Sequence, residues 1–130
     1  MAQTAQTLAP APADAYLEIE RLDVYRVARE FLAFVGPVLK ARHLGSLRDQ
    51  LDRASTSIVL NIAEGAGRRS GADKSAFYVI ARGSAMECAA ILDVLTGRGI
   101  LSAEAHRRGR GLLIRSVQML TRLIGRFART

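Results

Sequence analysis

Arg108, Arg115, Arg122, Arg126 and Arg129 are the residues of this 130-residue chain whose type and spacing best suit chemistry, and that chemistry is the holding of anions. Four of them recur every seven residues. On a helix turning about 100° per residue, all five fall within about 60° of arc, opposite Val117 and Ile124. Each guanidinium is a planar fork of donors that can pair with a phosphate through two hydrogen bonds. Residues 98–130 carry eight arginines and one acid, Glu104, whereas residues 1–97 balance eleven Lys/Arg against eleven Asp/Glu. The formal charge of +7 therefore sits in the last quarter of the chain. A solvated helix face normally mixes signs, and no acid lies between Arg108 and Arg129 to offset these arginines. In the run GAGRRSGADK, Arg68, Arg69 and Lys74 would extend the basic surface if copies of the chain come together.

Other chemistry finds little support. The single cysteine, Cys88, excludes an intramolecular disulfide, and His43 and His106 provide no zinc spacing. GAGRRSG follows a helix where a nucleotide loop would follow a strand, and it lacks the lysine and hydroxyl of a phosphate-binding loop. Glu64 and Glu87, on facing helices, have no Glu-x-x-His companion, so a structural role is expected of them. Ser57, Asn61 and Ser84 also lie on or beside apolar faces; with the two glutamates they would satisfy one another and fix register between helices. Cys88 reads as a small buried hydrophobe. With no nucleophile beside a base, the chain reads as a non-enzyme without cofactor or metal.

These side chains need a frame, and the composition supplies one: 49% hydrophobic, 5% aromatic, no Trp and a mean hydropathy of +0.11, which fits a folded core of aliphatic residues. No stretch reaches the roughly 20 apolar residues of a membrane span, and the N-terminus lacks the pattern of a secretory signal. A soluble, cytoplasmic protein with no membrane partner is expected. Residues 1–15, rich in Ala, Gln, Thr and Pro, read as a flexible tail before one domain over 16–130.

Within the domain, Val24, Ala28, Phe31, Val35 and Leu39 mark a first helix from Leu22 to Lys40, bent or shortened by Pro37. Ser46, with Asp49 three residues on, suggests a capping box opening a second helix along Leu47, Leu51, Ala54, Ile58 and Ile62, ending near 64–66. Ser70 caps a third, whose core face is traced by Phe77, Ala81, Ser84, Cys88, Ile91 and Leu95. Ser102 caps a fourth along Leu113, Val117, Leu120, Ile124 and Phe127, its first turns weakened by Gly109 and Gly111. Short connections between such helices predict an all-α, antiparallel up-down-up-down four-helix bundle.

Two helices carry a second apolar stripe: Thr56, Val59, Leu60 and Ala63 on the second, and Val79, Gly83, Met86, Ala90 and Val94 on the third. A helix that packs only inside a monomer has one apolar face, so self-association is expected, with the third helix as the closer seam.

Gln50, Arg53 and Ala54, then Ser57, Ile58, Asn61, Ile62, Ala63, Glu64 and Gly65, then Phe77, Ala81, Gly83, Ser84 and Glu87 resemble the signature of the 23S ribosomal RNA intervening-sequence protein family. The resemblance covers about 50 residues of the second and third helices. It implies an antiparallel four-helix bundle that commonly assembles as a homopentameric ring. The family also includes relatives of the accessory variability determinant of diversity-generating retroelements, a basic pentamer working with a reverse transcriptase and its RNA, which makes a reverse transcriptase an implied partner. The expected function is binding of RNA or DNA through phosphates by the arginine ridge; the alternative is a protein–protein scaffold whose arginines meet an acidic partner protein.

Overall fold

The computed structural model describes residues 9–13 and 15–129. Among them are four long helices and no strand: α1 (Asp23–Val38), α2 (Leu47–Ala66), α3 (Gly71–Gly97) and α4 (Ala103–Ala128). A short 3-10 turn, Glu18–Arg21, precedes α1. The expected tail falls partly outside the described residues; 9–13 and 15 are exposed and form no helix. Each helix packs on its neighbour in sequence, and α4 packs back on α1.

α1 ends one residue after Pro37, where few helical hydrogen bonds remain to be lost. His43 and Gly45 then adopt left-handed backbone with φ of 68° and 57°, turning the chain into α2. The capping box expected at Ser46 is absent. Ser46 is itself helical and takes no hydrogen bond from Asp49. The junction is held instead by Arg48, which donates from Nε to Leu39 O at 2.7 Å and from Nη2 to Ala41 O at 2.6 Å. The other two caps form: Ser70 Oγ accepts from Asp73 N at 3.0 Å and Ser102 Oγ from Ala105 N at 3.1 Å.

The core collects Phe31, Leu51, Ile58, Ile62, Ala81, Cys88, Leu92, Leu95, Leu113 and Leu120, all nearly or wholly inaccessible. On α3 the buried face is Ser75, Tyr78, Ala81, Ala85, Cys88, Ile91, Leu92 and Leu95; Ala81, Cys88, Ile91 and Leu95 are buried as expected, while Phe77 and Ser84 are only half-buried and Tyr78 and Ala85 take their places. α3 is apolar almost all round because it packs on both α2 and α4, so its periodicity alone did not separate these neighbours. Tyr78 fixes the rotation, with its ring over Gly65 so closely that a Cβ there would lie 2.8 Å from Cε1. On α4, Leu113 and Leu120 are buried as expected, while Val117, Ile124 and Phe127 sit half-buried at the flanks.

Burial, reinforced by the neighbouring charge of Glu87, pushes the Cys88 thiol up to about 12. At about pH 8 its thiolate fraction is then on the order of 10⁻⁴. Iodoacetamide should leave the native protein unmodified over hours and label one site once urea unfolds it. Labelling of the native protein at the rate of a free thiol would contradict that burial.

Candidate nucleic-acid interface

The rotation of α4 decides where its arginines point. Leu113 and Leu120 are sealed inside, and the hydroxyl of the buried Ser116 returns to Leu112 O at 3.0 Å. Arg108, Arg115, Arg122, Arg126 and Arg129 remain exposed. Arg108, Arg115, Arg122 and Arg126 run along the flank nearest α1. The Arg108 guanidinium lies 5.6 Å from the ring centre of Phe34 on α1. Arg115 and Arg122 join Asp23, Arg26 and Glu30 of α1, with Gln118 and Met119, around a groove of about 450 Å³. Arg122 and Arg126 continue into a smaller groove with Leu22 and Asp23.

The seam corrects the picture of a ridge without acids. Asp23 and Glu30 belong to another helix far away in sequence, so counting along α4 could not reveal them. Asp23 is paired with Arg26 within α1. Among the described residues, no ion pair links any of the five α4 arginines to an acid.

The loop basic residues have different surroundings. Arg68 is paired with Glu64 at 2.7 Å and its guanidinium lies 4.7 Å from the Phe77 ring centre. Lys74 donates to Ala66 O at 2.9 Å and Gly65 O at 3.4 Å, closing the carbonyl end of α2. Both charges are engaged within the molecule, which leaves Arg69, exposed in the loop, as the residue free to extend the basic surface. A lysine in the first turn of one helix reaching back to cap the previous one has no signature in spacing.

The polar residues sort into two groups. Ser57 and Ser84 share a 2.8 Å hydrogen bond between α2 and α3, and Asn61 Nδ2 donates to Ser57 O and Oγ at 2.9 and 3.0 Å. These three form the interhelical link. Glu64 and Glu87 are exposed and take no part in it. No group of three or more His, Cys, Asp or Glu side chains suited to a metal occurs among the described residues.

The second apolar stripe of α3 is open to solvent: Val79, Met86 and Val94 are 45%, 55% and 40% exposed, with Gly83 and Ala90 exposed between them. On α2, Leu60 is 61% exposed, but Val59 is half-buried against the core and Ala63 is also half-buried, which corrects their placement on a free face. Sequence reasoning missed Ile114 of α4, exposed beside Met86 in a groove between α3 and α4. No described helix is long and apolar enough to cross a membrane.

An all-α protein of four helices with an arginine-lined flank and an unpartnered apolar stripe is the class these features define. Residues 20–122 match the family model described as 23S rRNA-intervening sequence protein, and the chain belongs to that family. The match takes in α1 to α3 and most of α4, leaving Arg126 and Arg129 beyond its end. No curated protein matches the chain.

Proposed function

We propose that this protein is a binding module, not an enzyme: an antiparallel up-down-up-down bundle that self-associates in the cytoplasm and binds RNA or DNA through backbone phosphates along the α1/α4 flank. The observation that carries the reading is the row of five exposed α4 arginines without ion-pair partners among the described residues. The cyclic packing of the helices, each on its sequence neighbours and α4 on α1, supports the bundle topology. The open stripe on α3 supports self-association, and the family resemblance makes a homopentameric ring the specific form. A reverse transcriptase and its RNA are the partners that the same resemblance suggests.

Phosphate binding releases counterions, so log affinity should fall with log salt by about 0.9 per phosphate neutralised on duplex DNA and about 0.7 on single strands. Arg115→Gln, Arg122→Gln and Arg126→Gln together should lower affinity for generic RNA or DNA at least tenfold near 100 mM salt and flatten the salt slope by about 2–3. Fluorescence polarisation over a salt series measures both. Absent binding at about 50 mM salt, or an unchanged triple variant, would refute phosphate binding; a protein still captured after nuclease treatment would then favour a scaffold with an acidic partner.

A further inference from the structure

The groove between α1 and α4 contains more than a phosphate requires. Arg115 and Arg122 on α4 and Arg26 on α1 offer only donors, which suits phosphate oxygens. Glu30 offers only acceptors, and a carboxylate beside those arginines weakens phosphate binding. Asp23 is occupied by Arg26, but Glu30 is exposed and forms no hydrogen bond or ion pair among the described residues. Gln118, at the same groove, can both donate and accept. A ligand that uses this whole lining must present anions beside hydrogen-bond donors. A ribonucleotide strand does so at every unit, with a phosphate and a 2′-hydroxyl; a deoxyribonucleotide strand lacks the second. The groove's volume of about 450 Å³ suits a small ligand such as one nucleotide unit.

We propose that the α1/α4 groove prefers RNA to DNA, with Arg115 and Arg122 on backbone phosphates and Glu30 accepting a hydrogen bond from a ribose 2′-hydroxyl. This rests on the phosphate-binding reading above and adds the choice of nucleic acid. The test uses the full chain and one strand sequence of about 20 nucleotides, made as RNA, as DNA and as 2′-O-methyl RNA, which keeps the ribose-like geometry but loses the hydroxyl donor.

RNA should bind about five- to tenfold tighter than DNA, the scale of one hydrogen bond to a charged group at an open site. The 2′-O-methyl strand should fall to the DNA level. Glu30→Ala should erase the preference by weakening RNA binding while leaving DNA binding unchanged or tighter. Its helix content, followed by circular dichroism, should stay unaltered, because Glu30 is exposed and alanine favours helix. Equal affinity for RNA and DNA, full binding of the methylated strand, or a preference that survives Glu30→Ala would each overturn the proposal while leaving phosphate binding standing. Failure of all three strands to bind would overturn both.

Discussion

Gly109→Ala should destabilise the protein by about 2 kcal/mol, whereas Gly111→Ala, two residues further along α4, should stabilise it by about 0.5–1 kcal/mol. The backbone entropy term is the same at both sites, since alanine is favoured over glycine in a helix interior. Surroundings reverse the sign. A Cβ on Gly109 would lie 2.6 and 2.7 Å from Phe34 Cε2 and Cζ and 2.8 Å from Leu92 Cδ1. Leu92 is wholly buried. Phe34 is confined by the Phe31 ring, 5.8 Å between centroids, and by the Arg108 guanidinium. Leu92 has no open space to retreat into, and the half-buried Phe34 can swing outward only by giving up its contacts with Phe31 and Arg108, so overpacking of this kind costs more than the helix preference returns. A Cβ on Gly111 meets nothing within 4 Å. Thermal melts at one protein concentration should show a fall of roughly 8 °C for the first variant and a rise of about 3 °C for the second. A Gly109→Ala protein as stable as the parent would mean that α1 and α4 are not in close contact there.

That pair also shows where the sequence runs out. Both glycines read as weak points in the fourth helix, because propensity treats each position by itself; only the packed fold distinguishes a glycine that admits a phenyl ring from one that faces water. The helices themselves were legible, since their apolar spacing and the caps at Ser70 and Ser102 are local properties. The capping box at Ser46 was misread because Arg48 does the work of that junction by reaching back to the carbonyls of Leu39 and Ala41. The direction of the arginine ridge relative to its own helix was legible for the same reason as the helices. Its neighbours were not: Glu30 and Phe34 come to it from α1, across a contact that no periodicity encodes.

If the α3 stripe is the seam of the proposed assembly, Val79→Glu combined with Met86→Glu should give 14.1 kDa monomers at about 10 μM without loss of helix content. Both side chains are about half exposed in the single chain, so the change costs the monomer little. In an assembly they would be covered, and each unpaired carboxylate would then lose its hydration for several kcal/mol. Loss of about 4 kcal/mol raises a dissociation constant roughly 1000-fold, enough to empty a micromolar complex. The geometry sets a condition on the seam. The 27 residues of α3 span about 40 Å, and a stripe about 10 Å wide along them gives roughly 400 Å², half of what one side of a standard interface buries. Ile80 of α3 and Ile114 of α4, the latter beside Met86, are also exposed and add apolar area, so the rest of the interface must come from polar surface around the stripe. Ala33→Glu, on the exposed side of α1, should leave the assembly intact. Light scattering separates these outcomes, and a parent protein that is itself monomeric at that concentration would end the case for the stripe as a seam. Assembly through α3 would leave the α1/α4 flank uncovered, so each added copy would contribute another row of arginines. The monomeric variant, with every arginine intact, should therefore bind nucleic acid at least tenfold more weakly than the parent, because several weak phosphate contacts on one body act together and a single one does not.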